Sequence, residues 1–289
     1  MNRPRSNDSP RTHGAAGAAL LLSLALAGCG TIGVGIGTED DELRASGPTN
    51  IASLSDVVAR NPNDPQAYNM RGSVFGRAGQ YKEAVADFNR AIQLDPNYAQ
   101  AFANRALAHQ EMKRFDLALA DYTRAIQIDP NYAAAYVGRG ILRRQQGQAQ
   151  LALGDFNKAI QLKPDHAQAY HNRGLIYHAQ GLHKFAIDEF TTAINLSVAA
   201  PEPYFARAMS YVAINDHKRA IEDFDEALEK NPRNLEAWVN RGIAWERLGD
   251  KEKAAGSYAR ALNINQNYPP AVAGFARVGG RYGQTYQIN

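Results

Sequence analysis

The sequence predicts an all-α fold, a solenoid of six 34-residue helix–turn–helix units, and three observations carry that prediction. First, sliding the chain by 34 residues superposes Tyr68, Phe102, Tyr136, Tyr170, Tyr204 and Trp238. Self-similarity at this interval means stacked supersecondary units, each burying its apolar face on its neighbours. Second, four residues after each aromatic stands a small residue (Gly72, Ala106, Gly140, Gly174, Ala208, Gly242), which lets two helices approach closely. Third, the later part of each interval repeats alanine, aromatic, alanine at spacings of four and three. The alanines begin at Ala84, Ala118, Ala152, Ala186, Ala220 and Ala254, and the aromatics are Phe88, Tyr122, Phe156, Phe190, Phe224 and Tyr258. Those spacings place all three residues on one face of a second helix.

Taken in order, residues 1–13 hold Arg3, Arg5 and Arg11 and no apolar run. Residues 14–28 are apolar, but fall short of the roughly 20 needed to span a bilayer as a helix. A basic head, a short apolar run and small residues predict a secretory signal peptide over 1–28. Residues 29–50 are glycine-rich with an acidic patch at Glu39–Glu42 and read as a flexible tether, able to reach roughly 70 Å when extended. Residues 51–64 look like the second half of a unit, with Leu54, Val57 and Val58 on one side and Asn61-Pro62 as a stop, and so form an N-terminal cap. The units follow at 65–98, 99–132, 133–166, 167–200, 201–234 and 235–268. Asp-Pro-Asn at 95–97 and 129–131 ends a second helix, because proline disfavours the helical region for the residue before it. The fourth unit ends in Ser197–Ala200 instead, and the fifth opens on Pro201 and Pro203, which suit a first helical turn. Residues 269–289 supply a short capping helix with Val272 and Phe275, stopped at Gly279-Gly280, and a frayed tail.

The repeat resembles the tetratricopeptide repeat, over about 204 residues from 65 to 268. The resemblance implies a right-handed superhelix whose first helices line a concave groove, and a role in binding other proteins or extended peptides. Leu26-Ala27-Gly28-Cys29 in turn resembles the bacterial lipobox, which implies cleavage before Cys29 and lipidation of its thiol. Cys29 is the sole cysteine, so neither an intrachain disulfide nor a cysteine-based zinc site can form. Together these imply a membrane-anchored, periplasm-facing scaffold, with Gly30 leaning toward the outer membrane. Alternatives are a regulator or enzyme acting on cell-wall glycan, and a pilotin or outer-membrane protein assembly factor. Net charge is +3, and about +1 without Arg3, Arg5, Arg11 and Asp8, so no basic stripe suggests nucleic acid. A homo-oligomer is not indicated.

Two rows of residues are candidates for a role. With each unit numbered from 1 and the aromatic at 4, position 7 is always arginine: Arg71, Arg105, Arg139, Arg173, Arg207 and Arg241. The family more often has leucine there. Position 23 is acidic in five units, Asp87, Asp121, Asp155, Glu189 and Asp223, with Ser257 last. Matched periods predict a structural ladder of charge-assisted pairs; counting leaves open whether each arginine pairs in its own unit or the preceding one. On the groove side, Asn104, Asn172 and Asn240 recur in alternate units, and an amide suits an extended peptide backbone. The expected apolar floor is Leu107, Ile141, Leu175, Met209 and Ile243, with His171, His178 and Phe205 beside it. His171 and His178 stand two turns apart, about 10.5 Å, too far for one metal ion without further ligands. No catalytic constellation, cofactor or metal is expected.

Overall fold

The computed structural model describes residues 48–281 and 283–286. The expected signal peptide, Cys29 and most of the tether lie outside the described residues. Among the described residues the chain forms fourteen α-helices and no strand. A lone helix, α1 (Pro48–Arg60), comes first and starts three residues before the expected Ile51. Six helix pairs follow: α2 (Pro65–Arg77) and α3 (Tyr81–Leu94), α4 (Ala99–Glu111) and α5 (Phe115–Ile128), α6 (Ala133–Gln145) and α7 (Ala149–Leu162). The last three pairs are α8 (Ala167–Ala179) and α9 (His183–Leu196), α10 (Pro201–Ala213) and α11 (His217–Lys230), α12 (Leu235–Arg247) and α13 (Lys251–Ile264). α14 (Pro269–Arg277) closes the stack. No helix among the described residues is long and apolar enough to cross a membrane.

Helix ends follow the local chemistry. α3 and α5 stop just before Asp95 and Asp129, whose carboxylates accept from the Asn97 and Asn131 amides at 2.9 Å in Asx turns. The ring tips of Tyr68, Tyr136 and Trp238 donate to the carbonyls of Pro62, Pro130 and Pro232, pinning each loop to the next first helix. Between the two helices of a unit the chain turns through the left-handed region. Gly79, Gly147, Gly181 and Gly249 take that turn, but Lys113 (φ 58) and Asn215 (φ 62) take it in the second and fifth units, where a Cβ must be tolerated. The tail is better packed than its composition suggests: Tyr286 stands edge-on to Phe275, ring centroids 5.8 Å apart.

Each second helix wedges its central aromatic between the first helix of its own unit and that of the next. The flanking alanines, from Ala84 and Ala91 to Ala254 and Ala261, are fully buried, and Phe156, Phe190, Phe224 and Tyr258 have no exposed surface. Close approach comes from the small residue at position 8: a Cβ added to Gly72 or Gly174 would lie 2.7 Å from the ring of Phe88 or Phe190. Where that residue is Ala106, Tyr122 points onward, and a Cβ on Gly138 of α6 would meet its Cζ at 2.5 Å and its hydroxyl at 2.7 Å. Tyr258 likewise fills the space over Gly274 of α14. A phenylalanine makes no such demand. Phe88, Phe156, Phe190 and Phe224 are followed at the matching place by Asn104, Asn172, Ala206 and Asn240. Consecutive first helices also touch one another, from α2–α4 to α12–α14. They therefore form the inner layer of the stack.

The tyrosine–glycine match predicts a specific coupling. Gly138→Ala should cost about 1–3 kcal/mol by overpacking, since Tyr122 Cζ would lie 2.5 Å from the new methyl and Cε1 closer still, and under about 1 kcal/mol in a Tyr122→Leu background that removes the ring. At the junction of the fifth and sixth units, Phe224 and Ala208 already face a bulkier Asn240. Urea unfolding of the four variants measures this. Equal costs in both backgrounds would mean that ring and glycine do not share the space.

Candidate functional site

The six arginines are the frame on which the inner face is hung. Arg71, Arg105, Arg139, Arg173 and Arg207 each grip the acid sixteen residues ahead with Nε and Nη2, at 2.6 to 3.1 Å. Asp87, Asp121, Asp155, Glu189 and Asp223 thus pair within their own units, which closes the register that sequence left open. Two-pronged contact between a planar fork and a carboxylate is the strongest form of such a pair. Nη1 then reaches sixteen residues back, into the second helix of the preceding unit. It meets Ser55 (3.4 Å), Asn89 (2.6 Å), Thr123 (3.4 Å), Asn157 (2.8 Å) and Thr191 (2.9 Å). Each guanidinium also lies over the aromatic at position 4, 5.3 to 5.9 Å from the ring centre.

The sixth unit shows the same logic by exchange. Ser257 replaces the acid and accepts from Arg241 Nη1 at 2.9 Å, while the carboxylate has moved to the backward partner, Asp225, 2.5 Å from Arg241 Nε. This second row of short polar residues, Ser55 to Asp225, was legible as a polar position two residues after the acid. A match on charge alone passes over it, since only Asp225 in the row is charged.

The expected groove residues divide. Ile141 is buried in the core, whereas Leu107, Leu175, Met209, Ile243 and Phe205 are half-buried and keep part of their surface. The three asparagines do not form an open ladder. Asn104 donates to Asn69 Oδ1 (3.0 Å) and Ser73 Oγ (3.3 Å), tying α4 to α2. Asn172 is buried, donates to the Gln168 carbonyl at 2.8 Å and accepts from Arg144 Nε at 3.2 Å. Asn240 donates to the Glu236 carbonyl, one turn back on its own helix, at 2.8 Å. The preceding unit engages Asn104 and the Asn172 side-chain carbonyl, while Asn172 and Asn240 spend a donor on their own helices.

Repeat models match this architecture along much of its length. Models described as tetratricopeptide repeat match residues 99–132, 167–197 and 205–272, and one described as TPR repeat matches 77–113 and 140–181. The repeats are tetratricopeptide repeats. No curated protein matches the chain. Among solved structures, a chain of the APC/C hetero-tetramer Cut9–Hcn1 superposes with a TM-score of 0.71 at 18% identity, over 82% of this chain and 47% of that one. This chain therefore spans about half the length of that relative. Pseudomonas aeruginosa pilF superposes with a TM-score of 0.68 at 19% identity, over 76% of this chain and 99% of that one. YrrB, described as a TPR protein with an unusual peptide-binding site, gives 0.54 at 22% identity, over 64% and 96%. At these identities the likeness is one of fold.

Within the tetratricopeptide stack the two histidines have different neighbours. His178 Nδ1 lies 2.8 Å from Ser210 Oγ of α10, and its ring meets His183 edge-on at 5.1 Å. His171 rests against Phe190, ring centroids 5.6 Å apart, with a buried Nδ1 that has no partner. Burial, and secondly the charge of Arg144, push the His171 imidazolium down to about 4. Among the described residues no three of His, Cys, Asp and Glu gather closely enough to hold a metal ion.

Two measurements follow. Arg207→Ala should cost about 3 kcal/mol, because it strands the buried Asp223. Arg139→Ala should cost less, since Arg143 Nη1 still holds Asp155 at 2.8 Å. In double-mutant cycles Arg207 should couple to Asp223 and not to Glu189; the opposite pattern would reverse the register. For His171, the folded pKa lies below the ordinary histidine value. Its contribution to stability is thus complete above about pH 6.5, and is lost as pH falls toward about 4. An NMR titration placing its midpoint near 6.5 would show that the ring is solvated.

Proposed function

We propose that this chain is a binding scaffold that holds extended segments of other proteins along its inner face, and that it works by recognition and not by catalysis. One observation carries the reading: Leu107, Leu175, Met209 and Ile243 stand at the same position of four first helices, half-buried, with Ile141 continuing the row beneath them. First helices that touch one another bring this row to the inside of the stack. Apolar surface repeated at one-unit intervals suits a chain whose side chains recur at regular spacing. The five acids that recur with the repeat are held by arginines in the ladder, which gives them a structural role. We further propose that the scaffold is tethered through a lipid on Cys29 to a bacterial envelope membrane, facing the periplasm, on the strength of Leu26-Ala27-Gly28-Cys29. Acyl chains on that cysteine would give stable anchoring where a single chain gives only marginal binding.

Photo-crosslinking in live cells from position 175 or 209, followed by mass spectrometry, tests the first part. Leu175→Asp should remove the crosslinked partners and weaken binding by a hundredfold or more, about 2.7 kcal/mol, while circular dichroism and melting stay near native. Partners that survive would be held elsewhere. Cys29→Ser should move the protein from membrane to soluble fractions or leave it unprocessed, and abolish palmitate labelling; unchanged fractionation would remove the anchor.

A further inference from the structure

The third unit carries more positive charge than the stack uses. Residues 133–166 hold Arg139, Arg143, Arg144, Lys158 and Lys163 against only Asp155 and Asp165. Arg139 and Arg143 share the buried Asp155, at 2.8 Å each. Arg144 faces the other way, at position 12 of the first helix. Its one hydrogen bond among the described residues runs from Nε to Asn172 Oδ1 of α8, 3.2 Å away. No carboxylate among the described residues pairs with it, and burial depresses its pKa with no opposing acid. Other arginines without an acid partner are open to water or, like Arg90, lie over an aromatic ring.

A guanidinium keeps its charge in such a place, and an anion would offset the part of its hydration that partial burial removes. Asn172 orients Nε, which leaves Nη1 and Nη2 as a fork without acceptors among the described residues. Neither is sealed from solvent, since buried polar atoms lacking partners do not include them. On the first helix of the preceding unit, Gln110 donates to Gln145 Oε1 at 3.4 Å and keeps a buried Oε1 with no donor. His171, close enough for Arg144 to repel its proton, keeps an unpartnered buried Nδ1. A cation without a carboxylate therefore stands on the first helix that carries Ile141 of the otherwise apolar row.

We propose that Arg144 receives the carboxylate of an internal Asp or Glu side chain of the segment bound along the inner face. The proposal rests on the groove reading above. An internal acid fits better than a chain terminus, because the apolar row continues on both sides of Arg144, through Leu107 before it and Leu175 and Met209 after it. A terminus at Arg144 would leave half the face empty.

The test uses the full chain in detergent micelles and three nonapeptides carrying a neutral dye. The first is acetylated and amidated Gly-Leu-Ser-Ala-Glu-Ala-Ser-Leu-Gly; the second replaces Glu by Gln; the third is the Gln peptide with a free terminal carboxylate. At low salt, fluorescence anisotropy should show the Glu peptide binding about tenfold more tightly than the Gln peptide, a difference of about 1.4 kcal/mol. Arg144→Gln should erase that preference and leave the Gln peptide's affinity within about twofold, and Arg144→Lys should keep part of it. Equal binding of the Glu and Gln peptides, or a preference that persists in Arg144→Gln, overturns the proposal. So does a free-terminus peptide that matches the Glu peptide. Should the Gln peptide bind without a Glu preference, and lose binding in Leu175→Asp, the groove stands and only the role of Arg144 falls. If no peptide binds at about 1 mM, the acid site is overturned, and the crosslinking experiment alone decides the groove.

Discussion

One guanidinium in each unit holds three helices at once, and the rest of the stack depends on it. It leaves the first helix of its unit, grips an acid on the second (a serine in the sixth unit), and reaches back to a hydroxyl, amide or carboxylate on the helix that precedes the unit. A buried charge has to be satisfied wherever it sits. Meeting that need from two units fixes their spacing and rotation more narrowly than apolar contact alone, which tolerates sliding. Stability in such arrays is a sum of unit and interface terms, and here much of the interface term is polar. The exposed ends are where it runs out: α1 offers Ser55 as the first backward partner, and Glu246 takes over at the other end by pairing with Arg277 and Tyr258 of the closing helices.

A second constraint is steric. The central aromatic of each second helix is accommodated by glycine or alanine in its own unit, and a tyrosine by glycine in the next. Packed interiors have no slack for a misplaced methyl, so neighbouring units must agree on who yields the space.

Much of this was legible in the residues. The 34-residue period placed every helix pair, because alanine at two fixed positions and an aromatic between them describe one buried stripe. Matched rows at positions 7 and 23 pointed to the ladder before any coordinates. Its register was not legible, since an arginine is long enough to reach either neighbour and counting favours neither. Nor was the fate of Asn104, Asn172 and Asn240. Periodicity reports which side a residue faces and is silent on whether an amide there meets water or another helix. Arg144 was passed over for a related reason. It breaks the period, and what sets it apart is a missing partner, which only a three-dimensional arrangement reveals.

The agreement between Tyr122 and Gly138 has a consequence for how such a chain can change length. Recombination at a 34-residue boundary adds or drops a whole unit and rejoins its neighbours. Losing the third unit would set Tyr122 against Asn172, a junction with no room for the ring, whereas losing the fourth would set Phe156 against Ala206, a pairing of kinds already present. Losing the fifth would leave Arg241 facing Thr191 and Ser257, without the Asp225 carboxylate that now serves it. Junctions therefore obey a grammar, in which some neighbours can be rejoined and others cannot. The number and order of units in this lineage is constrained by which words can stand side by side, as well as by what the assembled face must bind.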